Sequence, residues 1–148
     1  TLVRPADVRF YFDADVLGLA KTVCRLRSDM TYPGDPGATI KRRERPPCVV
    51  VSPAVKDPVW IRQVAREGWL IITRDKRIRD HPAELRAVTD AGAKMVTLAS
   101  ADARDAWSQL EILMSQWRGI DRLVSEEGPF IYTASRTVLN QVSLGDKF

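Results

Sequence analysis

The sequence predicts an α/β protein: a three-layer α/β/α sandwich around a mostly parallel sheet. Three observations point there. Short β-forming runs alternate with stretches of helical periodicity, the pattern of βαβ units. The run Trp69-Leu70-Ile71-Ile72 is apolar throughout rather than alternating, as a strand covered on both faces must be. Asp, Pro and Gly punctuate the helical stretches at their ends. With 148 residues, 45% apolar and 28% charged, the chain has the size and composition of one globular domain with a sizeable core. The right-handed crossover rule then places helices on both faces of the sheet.

Val8 to Phe12 is a first short strand ending at Asp13, and Asp15 is placed to cap the helix that follows. Val16, Leu19, Ala20, Val23, Leu26 and Met30 keep helical spacing on one face. Thr31 to Pro47, with its prolines, glycines and the cluster Lys41-Arg42-Arg43-Glu44-Arg45, reads as a long mobile loop. Cys48 to Ser52 reads as a second buried strand. Asp57-Pro58 opens the next helix as cap and first-turn proline, Ile61, Val64 and Ala65 form its stripe, and Gly68 ends it. The strand Trp69–Thr73 follows. Pro82 to Gly92 is a helix and Lys94 to Leu98 a fourth strand. One long helix is expected from about Ala101, with Ala106, Leu110, Leu113, Met114, Trp117 and Val124 on its stripe, up to the break at Gly128-Pro129. Phe130–Ala134 and Thr137–Leu144 read as a terminal hairpin. Residues 1–98 are the core of a single domain 1–148; residues 99–148 add the helix and two strands.

In a parallel sheet every strand's carboxyl end lies on one edge, where open α/β sheets build their sites. Asp13 ends the first strand, Asp57 starts a helix, and Asp75 follows the central strand, so all three carboxylates are expected on one rim. Each has a structural explanation, since Asp is favoured at helix caps. Carboxylates without His or Cys suit a hard cation, Mg²⁺ or Mn²⁺, which offsets their repulsion and can activate water at a phosphorus centre. No Ser–His–Asp or Cys–His set is available, because His81 is the only histidine and reads as part of a helix start. The basic residues are mostly Arg, and Arg74, Lys76, Arg77 and Arg79 flank the rim, either as a solvated turn or as holders of a phosphate backbone. Lys41–Arg45 is read in the same two ways, with an acidic partner segment as a further occupant. Cys24 and Cys48 lack metal-ligand spacing and read as buried free thiols of a reducing compartment. No signal peptide or membrane span is read in the sequence, so a cytoplasmic location is expected.

Phe12-Asp13 after a short strand, together with the stretch Asp57 to Lys76 ending in Thr73-Arg74-Asp75-Lys76, resembles the PIN domain. The likeness is to its compact, PIN-like form, found in VapC-like toxin nucleases of toxin–antitoxin pairs. It implies a Mg²⁺- or Mn²⁺-dependent ribonuclease with metal ligands at Asp13, Asp57 and Asp75, and with Thr73 orienting Asp75. It also implies an RNA substrate, a small antitoxin partner and a homodimer, for which the helix bearing Trp107 and Trp117 offers apolar area. Full PIN domains carry one more acid between the first strand and Asp57; Asp15, Asp29 and Asp35 are the candidates, with Asp15 nearest the rim.

Two other readings stay open. Phe12-Asp13-Ala14-Asp15-Val16 also fits the start of haloacid-dehalogenase-type phosphatases, with Asp13 as nucleophile, Asp15 as general acid/base and Thr73 on the phosphate. That reading needs a lysine and a later acidic pair, for which Lys94, Asp102 and Asp105 are poorly spaced. A PIN-like domain that binds RNA or protein without cutting is the third reading.

Overall fold

The computed structural model describes residues 2–74, 80–99 and 101–144. Chain order is β1 (Arg4–Pro5), β2 (Phe10–Phe12), α1 (Leu17–Val23), β3 (Met30–Thr31), β4 (Ala38–Ile40), β5 (Arg43–Arg45), α2 (Asp57–Glu67) and β6 (Leu70–Arg74). There follow α3 (Pro82–Ala91), β7 (Lys94–Leu98), α4 (Ala106–Ser115), α5 (Trp117–Leu123), β8 (Phe130–Ala134) and β9 (Leu139–Val142).

Among the described residues, six strands form a central sheet in the order β3-β2-β6-β7-β8-β9. All its pairings are parallel except the terminal hairpin β8–β9, where Ala134 faces Leu139. Strand alternation divides the side chains between two cores. Phe10, Phe12, Leu70, Ile72, Val96, Leu98 and Phe130 point to the face covered by α1, α4 and α5. Tyr11, Ile71, Met95 and Ile131 point to the other, where Trp60, Ile61, Val64 and Val88 of α2 and α3 cover them. With helices on both faces, β6 has no solvent side, so Leu70 to Ile72 are all fully buried. Gly68 ends α2 at φ 77, a left-handed cap that a side chain would oppose.

The region between α1 and α2 differs from the sequence reading. Cys48–Ser52 is irregular, not a strand. Pro46 and Pro47 bring no N–H to a ladder, and the sheet position beside β2 is taken by β3, whose Met30 pairs with Phe10. Cys48 and Val50 are buried over the α2 side of the sheet while Val49 and Val51 are exposed, so the segment covers the core without joining it. The expected loop Thr31–Pro47 contains β3 and a hairpin, β4–β5, to which β1 adds in parallel as a second, three-stranded sheet. The pair Arg45–Asp35 fastens it. Arg45 Nε donates to Asp35 Oδ2 at 2.6 Å, and both side chains are buried. Arg45 also donates to the carbonyls of Cys24 and Arg27, and Asp35 accepts from Thr31 and the Gly37 N–H.

The expected long helix is two helices, α4 and α5, meeting at Gln116. Its two tryptophans part company. Trp117 packs on Phe10 with ring centroids 4.9 Å apart, whereas Trp107 is 72% exposed, as is Met114 for the most part. No helix among the described residues is long and apolar enough to cross a membrane.

Candidate active site

Asp13 is the first residue past β2. Its N–H donates to the Ile72 carbonyl at 2.9 Å, which ties it to β6, and its Oδ1 accepts from the Ala14 N–H at 2.6 Å. It therefore caps the short 3₁₀ turn Ala14–Val16, and its side chain is buried. Asp15, expected as the cap, does something else. It is exposed, and its carboxylate accepts from the Thr73 hydroxyl at 2.9 and 3.0 Å and from the Arg74 N–H at 3.2 Å.

Thr73 is the hub. It sits near the carboxyl end of β6, 1% exposed, with Oγ1 3.3 Å from Asp13 Oδ2 and within 3.0 Å of both Asp15 oxygens. A threonine hydroxyl has one proton, so it serves one of these oxygens at a time. Two acids from one strand-to-helix turn are thus gathered on a residue 58 and 60 positions later.

Asp57 reaches the same edge by a route the sequence reading did not take. The strand expected at Cys48–Ser52 is absent; instead α2 runs antiparallel to β6, so its first turn lies beside the carboxyl end of that strand. Asp57 is the first helical residue rather than the cap, Lys56 holding that position without a capping hydrogen bond. The Asp57 carboxylate instead accepts from Trp60 Nε1 at 2.8 Å. Trp60 packs against Tyr11, ring centroids 5.2 Å apart. The Tyr11 hydroxyl finds no hydrogen-bond partner among the described residues. Burial first, then Asp13, Cys48, Asp15 and Asp57, push its pKa up, which means that all three acids of this edge bear on one buried phenol.

Asp75, Lys76, Arg77 and Arg79 lie outside the described residues. Arg74, the last residue of β6, is half-buried. Asp29 and Asp35 are engaged elsewhere, Asp29 with Arg27 and Arg9 and Asp35 with Arg45. Of the three candidates for an additional acid, only Asp15 meets the Asp13–Thr73 group.

Glu84 reads from the sequence only as part of the helix start with His81 and Pro82. It lies in the first turn of α3 and is only 7% exposed. A cleft beside it is also lined by Asp57, Asp80 and His81. An acid after Pro82 reads as an ordinary first-turn residue; only packing shows that it is buried. Tyr11 had no sequence signal at all beyond its β-forming neighbours.

The donors are all oxygen, which matches a hard divalent cation. Two carboxylates gathered on one hydroxyl concentrate negative charge of the kind that such a cation binds. Among the described residues alone, no group of three or more acids, histidines or cysteines is close enough to hold one. The phosphatase reading loses its parts: Lys94 opens β7 at the opposite edge and donates to the Val124 carbonyl at 2.6 Å, Asp105 caps α4, and Asp102 faces Arg136.

The family described as PIN like domain matches residues 9–100, more than half of the chain and the whole stretch from Arg9 through β7. A protein of Mycobacterium tuberculosis named "Putative ribonuclease VapC45" is 34% identical over 80 residues, covering 54% of this chain and 57% of that protein. The chain thus spans little more than half the length of that curated relative. No solved structure gives a significant match. A mostly parallel sheet with acids converging on its carboxyl edge, together with the match over residues 9–100, makes this chain a member of the PIN-like domain family.

Proposed function

We propose that the chain is a metal-dependent endoribonuclease, the toxin of a toxin–antitoxin pair. The observation that carries this reading is the Thr73 hydroxyl set between Asp13 and Asp15, with Asp57 on the same edge. The name of the mycobacterial relative, a ribonuclease, supports it. Asp13, Asp57 and Asp75, with Asp15 beside them, would hold a Mg²⁺ or Mn²⁺ ion. When bound, the ion supplies a Lewis acid and lowers the pKa of a coordinated water. The chain's own residues do the rest. Thr73 keeps the Asp13 and Asp15 carboxylates aimed at a common point, and Trp60 fixes the rotamer of Asp57. Arg74, Lys76, Arg77 and Arg79 hold the RNA backbone on either side of the scissile phosphate. A small antitoxin protein, a homodimer through the α4 face bearing Trp107 and Met114, and a cytoplasmic location belong to the same reading. So does the organisation as one domain.

Purified protein is expected to cut single-stranded RNA with Mg²⁺ or Mn²⁺ and to stop on addition of EDTA. Asp75→Asn should abolish cutting while the circular dichroism spectrum stays that of the parent. Cleavage that survives EDTA sinks the reading. Asp15→Asn should leave measurable cleavage, and beryllofluoride should trap no adduct on Asp13, since no covalent intermediate forms.

A further inference from the structure

The second sheet carries a surface that the acidic edge does not use. Arg9 directly precedes β2 and Asp29 directly precedes β3, so both mark the amino edge of the central sheet. A groove there, ≈510 Å³, is lined by these two residues together with Arg27 and, from the hairpin, Lys41 and Arg43. Four steps of extended chain, about 13 Å, lead from Arg9 to Asp13. The hairpin thus sits at the edge opposite the acids. It cannot touch the same phosphate as Arg74, so a phosphate-holding role for this cluster is exercised away from the rim.

Two features of this hairpin work against its own stability. The two-residue turn Lys41-Arg42 has φ 50 and φ 66, left-handed at both positions. That geometry favours Asn-Gly, and each side chain there is strained. Beside it, Arg4 of β1 and Arg43 of β5 are register partners in parallel strands, so two like charges stand side by side on one face. Among the described residues, none of Arg4, Lys41, Arg42 and Arg43 is in an ion pair, while the groove's Asp29 is taken by Arg27 at 2.8 Å. The repulsion among these cations is relieved by an anion lying across them, whereas the strain of the turn is a cost the hairpin carries in presenting Lys41 and Arg42 there.

We propose that this hairpin, with Arg4, is a second phosphate-binding surface that holds single-stranded RNA away from the point of cleavage. The proposal rests on the nuclease reading for RNA as the anion. The cations are neighbours on the three-stranded sheet, the β1–β5 register pair Arg4–Arg43 adjoining the turn Lys41-Arg42. Three of the four are Arg, which stacks on bases as well as gripping phosphate.

The test is binding of a single-stranded RNA of about 12 nucleotides by fluorescence anisotropy in EDTA, so that cutting plays no part. Lys41→Asn/Arg42→Gly gives the turn its preferred residues and should raise the melting temperature. The same variant should weaken RNA binding about tenfold and make the slope of log K against log [salt] shallower by about 1.4, two cations at ~0.7 each. Arg4→Gln/Arg43→Gln should do likewise without touching the turn, and Lys41→Arg/Arg42→Lys should bind as the parent does. Folded variants with unchanged affinity and slope overturn the proposal. So does loss of binding to polyglutamate with RNA binding intact, which assigns the surface to an acidic protein. Failure of RNA cleavage in Mn²⁺ sinks the nuclease reading and leaves this binding result standing.

Discussion

Thr73 has one proton to place between Asp13 and Asp15, and Trp60 has one to give Asp57. These two donors do opposite kinds of work on the acids. The Thr73 hydroxyl draws two carboxylates together against their repulsion, and its removal leaves buried Asp13 short of a donor. Thr73→Val, close in shape, should cost about 1–2 kcal/mol of stability in EDTA, measured by urea unfolding. It should also raise the Mg²⁺ concentration that half-restores the melting temperature. Trp60→Phe keeps the packing on Tyr11 and loses only the bond to Asp57. Its stability should fall less than that of Thr73→Val, while its Mg²⁺ requirement rises. Equal effects of the two on stability would show that Trp60 supports the fold rather than the acid.

The element that the sequence hid best is the hairpin β4–β5. Its strands are three residues each: Ala38-Thr39-Ile40 carries no charge and little burial, and Arg43-Glu44-Arg45 is charged throughout, with Arg45 alone turned inward. No periodicity marks such a segment. What fastens it is one buried ion pair between Arg45, at the end of β5, and Asp35, in the segment before β4, so proximity in the fold, not composition, makes it an element. Asp35→Ala strands the Arg45 guanidinium among the carbonyls of Cys24 and Arg27. That should cost about 3–5 kcal/mol, read as the urea midpoint. Asp35→Asn keeps two of the acceptor contacts and should cost less. The helices α2 and α3 were legible for the converse reason. Their Pro starts, Gly ends and apolar stripes are local signals, and both end at a left-handed glycine, Gly68 and Gly92.

At the scale of the molecule, the two cores bury acids that ionise only at high pH. Burial pushes the Cys24 thiol up to about 12 from an ordinary value of 9.0, with nearby Arg45 opposing. Burial likewise raises Cys48, Tyr11 and Tyr32. A group whose folded pKa is raised binds its proton more tightly in the folded chain. Its contribution is complete below the unfolded pKa and is lost as pH climbs through the folded one. Stability measured by urea midpoint should therefore hold steady from neutral pH to about 9 and fall steadily between 9 and 12. Cys24 should stay unreactive to iodoacetamide at pH 8 in the folded protein, and a rapid reaction there would contradict its burial.

The sequence by itself determined the class of fold, the central strand and its flanking helices. It also determined the terminal hairpin and the place of Asp13 at the carboxyl end of β2. Each of these follows from signals carried by neighbours in the chain: period, caps, breakers, and the one-sidedness of parallel strands. Tertiary structure alone decided that β3 rather than Cys48–Ser52 lies beside β2, and that Thr73 serves Asp13 and Asp15. It also decided that Glu84 and Tyr11 are buried at the same edge, and that Lys41 and Arg43 line a groove at the opposite one. Those outcomes depend on which segment can pair with an open sheet edge and which polar groups are shut off from water together. Such choices are made between residues far apart in the chain, and no local pattern records them.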